Sequence, residues 1–398
     1  MPDQNPLPLS GLRVLEFSHA IMGPSAGLIL ADMGADVIKI EPAPEGDHTR
    51  RLPGFAAGFY GLFNRNKRAL AVDLKSEKGR ALVHRLAETA DVALENFGPG
   101  TMDRLGCGYA DFSARNPRII YCALKGFLSG PYEKRTALDE VVQYMAGLAY
   151  MTGPPGRPLR AGTSIVDILG GTFAVVGILA ALRERDRTGK GQMVKSALYE
   201  AAVLLMGQHM AGMAATGEPG LPMPARKGAW GVYHTFPSKD GERVFIGITS
   251  NQQWERFCGA VQRPDLLADP RLKSNADRVA AQEWLLPEIE KIAETYAKPD
   301  LLALCQSIGI PFSPVSRPED LFDDPQLQGP HGLLDVTLPG GIKTKLPRLP
   351  IELDGHNFGL RRNAPDVGAD GRDVLKDAGY GAAEIAALER DGVIVVKA

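Results

Sequence analysis

The sequence predicts an α/β protein in which a large domain with a mostly parallel sheet, covered on both faces, is joined to a smaller α+β domain. Two observations carry this. Short apolar runs alternate with helical segments from Leu12 to Leu124, the pattern of repeated βαβ units. A Pro/Gly-rich link, Gly217–Pro224, then separates sequence of a different kind, in which strand-like segments precede amphipathic helices.

The elements follow in order. Leu12–Phe17 is apolar with β-branched and aromatic character and reads as the first strand. A turn and a helix over Pro24–Met33 follow, with Pro24 suited to the first helical position. Gly34 stops that helix, and Asp36–Ile40 reads as a second strand ending at Glu41, completing a βαβ unit. The pattern recurs with strands at Ala69–Leu74, Val92–Asn96 and Pro117–Leu124 and a helix at Glu77–Glu88. A long helical region is expected from Asp139 through Ile168–Arg185 to about Ala215. Beyond the link, strands at Val232–Phe236 and Val244–Thr249 are joined by Lys239-Asp240-Gly241, and helices cover Gln252–Val261 and Ala280–Tyr296. The last part is Pro/Gly-rich and ends in a helical segment, Gly371–Asp391, expected to pack back on the first domain. The divisions are therefore 1–216, 225–325 and 326–398.

Composition bounds the function. The 398 residues are 44% hydrophobic and 23% charged, values of a folded globular chain. A net charge of −2 gives no global attraction to nucleic acid or anionic lipid, so any anion site is local. The four cysteines are scattered and form no CxxC pair, and the seven histidines form no HExxH, so neither a disulfide framework nor a metal site is expected. The longest apolar run, Ala174–Leu182, is half of the ~18 residues a membrane span needs, and the expectation is a cytoplasmic protein.

Three features bear on chemistry. The loop Ser18–Gly27 lies between strand and helix, where α/β folds bind ligands, but it is not GxGxxG, which argues against a dinucleotide. Basic residues recur near strand ends, at Arg65-Asn66-Lys67-Arg68, Arg104 and Lys125, and suit a cofactor carrying several phosphates; the alternative is an ordinary solvated surface. Asp167 stands before an apolar helix that opens Ile168-Leu169-Gly170-Gly171. Either it caps that helix, or it is a nucleophilic carboxylate whose two following glycines let a ligand approach and whose helix-start amides stabilise an oxyanion.

The string Leu9–Phe17, Gly34–Pro42 with Gly46-Asp47 and Arg50, Asn66-Lys67-Arg68, Glu95–Gly100, Arg104-Leu105-Gly106, Asn116-Pro117-Arg118 and Thr188–Gln192 resembles the family III CoA-transferases, the formyl-CoA transferase and carnitine CoA-transferase group that includes α-methylacyl-CoA racemase. The resemblance runs through nearly the whole chain. It implies a Rossmann-like large domain built from both chain ends, a small central domain and an interlocked homodimer. It also implies that coenzyme A, as acyl-CoA, is a substrate, with a small carboxylic acid as acceptor, no metal, and neither nucleic acid nor membrane as partner.

In the family's terms Asp167 falls on the catalytic aspartate, which forms an aspartyl mixed anhydride and then an aspartyl-CoA thioester. CoA binding carries over to Ile21, Met22, Val72, Lys75, Asn96, Phe97, Gly98, Arg104, Thr136, Ala137 and Leu138. Pro42 and Thr136 replace an arginine and a lysine of formyl-CoA transferase, which shifts phosphate contacts toward Arg104, Lys75, Arg135 or Lys39. Leu138 stands where the racemases have a histidine base, so one half of two-base racemisation is missing, and the adjacent Asp139 is expected to support the site or to cap the helix it begins. A racemase or epimerase and a non-catalytic CoA-binding protein are the alternatives. No glycine run lies between Pro222 and Val244, and Ile21 replaces a flexible glutamine, which disfavours formyl and oxalate specificity. Either Arg226 or Lys227 pairs with the second carboxylate of a dicarboxylic acid such as succinate, mesaconate or itaconate, or the two are an exposed basic linker.

Overall fold

The structure, a computed structural model, describes residues 6–226 and 228–396. It divides into two compact units, Met1–Pro224 with Gly329–Ala398, and Ala225–Gln328. In chain order the strands are β1 (Arg13–Phe17), β2 (Asp36–Pro42), β3 (Arg68–Val72), β4 (Val92–Glu95), β5 (Ile120–Lys125), β6 (Met193–Ala197), β7 (Val232–Pro237), β8 (Arg243–Ile248), β9 (Phe312–Pro314), β10 (Leu333–Leu338), β11 (Ile342–Pro347) and β12 (Ile394–Val395).

The larger unit is built on a seven-stranded sheet in the order β12-β3-β2-β1-β4-β5-β6. All neighbours run parallel except β12, which is antiparallel to β3. From β3 to β6 this is the order of a doubly wound nucleotide-binding sheet, which reverses direction between β1 and β4.

Period-two alternation supplies both faces. Val14, Val37, Val92, Leu94, Ile120 and Cys122 pack with the helices Met22–Asp32 and Ile165–Thr188. Leu15, Phe17, Ile38, Leu70, Ala93 and Tyr121 pack on the other side with Leu82, Leu86, Phe112 and the chain-terminal Val374, Leu375 and Ile385. Because both faces are covered, the strands read as near-continuous apolar runs.

The expected long helical region is interrupted. It consists of Asp139–Met145, Leu148–Thr152, Ile165–Thr188 and Leu198–Thr216, with β6 between the last two. Gly189 adopts φ +73 and closes the longest helix by donating its N–H to the Arg185 carbonyl at 2.7 Å, a left-handed C-cap that requires glycine. The Ile165–Thr188 helix is long and apolar enough to cross a membrane by length and composition. Here it packs against the Met22–Asp32 helix, β5, β6 and the Leu198–Thr216 helix as a core element.

The smaller unit carries an antiparallel sheet β7-β8-β9. Val232, Phe236, Val244, Ile246 and Ile248 bury one face of it with Trp254, Phe257, Leu285 and Ile289 from the helices Asn251–Ala260 and Gln282–Ala293. A separate hairpin, β10-β11, belongs to the larger unit.

Candidate active site

The reversal between β1 and β4 opens a crevice at their C-terminal ends, and the residues following both strands line it. After β4, Asn96 bridges it: its Oδ1 accepts from the His19 N–H at 3.0 Å and its Nδ2 donates to the His19 carbonyl at 2.8 Å. The Ser18 carbonyl accepts from Lys39 Nζ at 2.8 Å, and the Ala20 N–H donates to Thr49 Oγ1 at 3.1 Å. These bonds hold Ala20 at φ +62, a conformation an L residue adopts only when its surroundings impose it.

A buried charge cluster lies beneath this loop. Glu16 Oε2 stands 2.8 Å from Lys67 Nζ, and Lys39 Nζ lies 3.0 Å from Asp47 Oδ2, with the side chains of Glu16, Lys39 and Lys67 fully buried. Lys67 also donates to the Pro24 carbonyl at 3.0 Å. Burial, only partly offset by Glu16, lowers the Lys67 pKa to about 8. Arg65 pairs with Asp32 at 2.7 Å and Arg68 with Asp36 at 2.5 Å.

This corrects the reading of Arg65, Lys67, Arg68 and Lys39 as phosphate ligands. They sit at the start of β3 or inside the fold, and each is committed to a carboxylate. Buried cations are retained only with such partners. Lys125 is likewise held, by Glu95 Oε1 at 2.5 Å and the Phe97 carbonyl at 2.8 Å, and so fixes the 96–98 turn.

Asp167 is the third residue of the Ile165–Thr188 helix, and the N-cap is Ser164, whose side chain makes no capping bond. The cap comes from elsewhere. Asp139 Oδ2 accepts from the N–H groups of Val166 at 2.8 Å and Asp167 at 3.1 Å. Its Oδ1 accepts from Gln143 Nε2 at 2.6 Å, and Gln143 Oε1 accepts from the Ala161 N–H at 2.9 Å.

Asp167 is therefore not the cap, and the helix-start amides of Val166 and Asp167 are taken and do not serve an oxyanion. The glycines act differently as well. A Cβ on Gly170 would lie 2.6 Å from Met22 Cε, and one on Gly171 would lie 2.6 Å from the Met22 carbonyl oxygen. Their smallness lets two helices approach and opens no path for a ligand.

The Asp167 carboxylate accepts no hydrogen bond among the described residues. Burial, and then the Asp139 charge, push its pKa up to about 7, so at neutral pH it is only partly ionised. It faces a cavity of about 430 Å³ whose lining includes Ile21, Met22, Asn96, Phe97, Gly98, Thr136, Ala137 and Leu138. Val72 and Lys75 line an adjoining cavity of about 540 Å³, and His19 and Phe97 border both.

Arg104 lines neither cavity. It is exposed and donates to Thr101 Oγ1 at 3.0 Å. Arg226 is exposed and belongs to the smaller unit; Lys227 lies outside the described residues.

Two site residues escaped the sequence reading, His19 at the crevice and Arg160 in the Asp167 cavity, while Asp139 caps the helix that carries Asp167 and not only the one it begins. His19 stacks on Phe97 with ring centroids 5.4 Å apart and lies 5.0 Å from the His48 ring. Burial, and then His48, lower its pKa and keep it neutral. Its position beside the crevice was the available signal.

Fold and site together define an α/β protein with a partly buried carboxylate beside a switch-point crevice. The chain belongs to CoA-transferase family III, whose profile matches residues 9–371, and it is a CoA-transferase. It is 33% identical over 402 residues to a succinate–glutarate CoA-transferase of Agrobacterium fabrum, covering 98% of each chain. It is 34% identical over 393 residues to a succinyl-CoA:mesaconate CoA-transferase of Haloarcula hispanica, covering 94% of this chain and 97% of the other. Among solved structures, a CAIB/BAIF family protein from Brucella suis superposes with a TM-score of 0.84 at 32% identity, covering 94% of this chain and all of the other.

Proposed function

We propose that this enzyme moves CoA from an acyl-CoA thioester, succinyl-CoA being the reference donor, to a small dicarboxylate through covalent intermediates on Asp167. The observation that carries the reading is the Asp167 carboxylate itself, unbonded and facing a cavity at the sheet's switch point. The dicarboxylate class is supported by the acids named in the relatives' activities, glutarate and mesaconate.

The steps balance on one side chain. An ionised Asp167 oxygen attacks the thioester carbonyl and expels CoA thiolate, giving a mixed anhydride. The thiolate then attacks the aspartyl carbonyl and releases the donor acid as its carboxylate, leaving an aspartyl-CoA thioester. The acceptor carboxylate attacks that thioester and expels thiolate once more, and the thiolate takes the acyl group from the new anhydride, regenerating Asp167.

Both covalent species hydrolyse if water reaches them, which fits a partly buried nucleophile. Racemisation needs a second base, and Leu138, which lines the cavity and is 67% exposed, cannot supply one.

Intact-mass spectrometry after incubation with succinyl-CoA, with hydroxylamine trapping, tests the mechanism. An adduct that maps to Asp167 and is lost in Asp167→Ala is expected. No adduct, together with solvent deuterium entering a 2-methylacyl-CoA, would transfer the site to racemase chemistry.

The active form is proposed to be an interlocked homodimer in the cytoplasm. Ile168, Phe173 and Val176 on one helix and Leu204, Met210 and Met213 on the next expose apolar surface of the kind a partner covers. The four cysteines are free and buried, as suits a reducing compartment. Sedimentation equilibrium should return twice the 42.8 kDa chain mass; a monomer at assay concentration would refute the dimer.

A further inference from the structure

Three cations line the Asp167 cavity among the described residues: Lys125, Arg135 and Arg160. One is tied down by a carboxylate, and another is exposed and rests on an aromatic ring. Lys125 is gripped by Glu95 and the Phe97 carbonyl, and Arg135 lies over the Tyr132 ring at 4.8 Å. Arg160 makes no hydrogen bond among the described residues. Its charged neighbour is Glu140, with Nε to Oε1 at 3.6 Å and both side chains open to solvent at 33% and 58%, a long and weak pair.

The backbone beside Arg160 is nevertheless fixed. The Ala161 N–H is held by Gln143, which is fully buried and is itself bonded to Asp139. Asp139 in turn caps the helix carrying Asp167. The residue after Arg160 and the helix that carries Asp167 are thus tied to the same Asp139–Gln143 pair, and both Arg160 and Asp167 line one cavity. They are not an ion pair with each other, because burial and Asp139 account for the Asp167 shift and no cation opposes them.

We propose that Arg160 receives the remote carboxylate of a dicarboxylic acid whose other carboxyl carbon faces Asp167, and so sets this enzyme's preference for dicarboxylates over monocarboxylates. The inference rests on the covalent mechanism proposed above and adds to it the residue that reads the substrate. A planar guanidinium binds carboxylate through two parallel N–H···O bonds, stronger and more directional than a lysine contact. An incoming carboxylate displaces Glu140 at little cost, since the pair it breaks is exposed. Donor acyl group and acceptor acid occupy the same place beside Asp167 in turn, so Arg160 reads the free carboxylate of succinyl-CoA as well as that of the acceptor.

The test compares substrates matched in carbon number: succinyl-CoA with butyryl-CoA as donors, and glutarate with valerate as acceptors. In Arg160→Gln the ratio of kcat/KM for the dicarboxyl over the monocarboxyl member should fall by about 10- to 100-fold, with the monocarboxyl reactions unchanged. Arg160→Lys should recover part of the ratio, keeping charge without the fork. An equal loss for both members of a pair, or an unchanged ratio, would overturn the assignment.

The adduct experiment separates the two levels. If the unmodified enzyme forms no covalent species on Asp167, the mechanism falls; if it forms one and Arg160→Gln retains the dicarboxylate preference, only the role of Arg160 falls. Thermal melting of Arg160→Gln should match the parent, because the side chain bonds to nothing structural.

Discussion

Replacing Asp167 by asparagine is expected to abolish transfer and to make the protein more stable. The loss follows from the mechanism, because an amide cannot open the thioester, and the CoA-exchange rate should fall by a factor on the order of 10³ or more. The gain follows from linkage. Burial and the neighbouring Asp139 raise the folded-state pKa of Asp167 to about 7 from an ordinary 3.8. Between those values the unfolded chain carries the ionised form while the fold favours the neutral one. Stability contributed by this group is therefore lost as pH rises from about 4 to 7 and stays lost above that. Asparagine is neutral throughout. Its advantage over the parent should thus be absent near pH 4, grow to pH 7 and then level off at about 1–3 kcal/mol, discounted for the partial exposure of the side chain. Melting curves from pH 4 to 8 check this. Parallel pH–stability curves for the two proteins would show that the carboxylate is not strained by its site.

The same shift bears on turnover. The attacking form of Asp167 is the ionised one, so the first half-reaction should rise with pH through about 7, where an ordinary aspartate would already be fully active. By residue type alone an aspartate is ionised at neutrality without help. The shift comes from burial and from Asp139, distant along the chain and brought onto the same helix end by the fold.

Depth and contact are what the chain does not print. Strands β1 to β5 were legible to within a few residues, because a strand covered on both faces must be apolar along its length. β6 was read as helix. It is the last strand of the sheet, half its residues are open, and Met-Val-Lys-Ser-Ala carries no apolar run to announce it. β9 and β11, a short edge strand and one strand of an open hairpin, were missed for the same reason, and β10, apolar at four of six positions, was missed within the Pro/Gly-rich last part.

The basic residues divide in the same way. Arg65, Lys67 and Lys39 look like phosphate ligands by type, yet each is sealed against a carboxylate from a different segment. Arg160 carries no distinguishing neighbour in sequence, and the fold gives it a cavity and a weak partner. Asp167 was identifiable because it stands before an apolar helix that opens with two glycines and falls on a catalytic position of the family the chain resembles, and its expected neighbours Ile21, Met22 and Asn96 to Gly98 do gather beside it.

Gly171→Ala should be among the most damaging single substitutions outside the chemistry, and the reason separates two adjacent glycines. A Cβ at position 171 would lie 2.6 Å from the Met22 carbonyl oxygen and 3.2 Å from the Ala26 backbone nitrogen, and it would overlap Ser25 Oγ as well. Two of these neighbours are main chain inside the Met22–Asp32 helix and cannot swing aside, so the two helices must separate. That separation disturbs Ala26, Leu30, Val166 and Ala174, which are buried between them, and drags Ile21 and Met22 away from the Asp167 cavity. A loss of about 3 kcal/mol or more is expected, together with a raised KM for acyl-CoA. At Gly170 the obstacle is Met22 Cε at 2.6 Å, the free end of a flexible side chain that can rotate. Gly170→Ala should therefore cost markedly less stability while still raising KM, because it moves Met22 at the cavity wall. Urea unfolding midpoints and acyl-CoA kinetics on both variants decide the matter. If Gly171→Ala proves no worse than Gly170→Ala, the close approach of these two helices is not what the glycine pair protects.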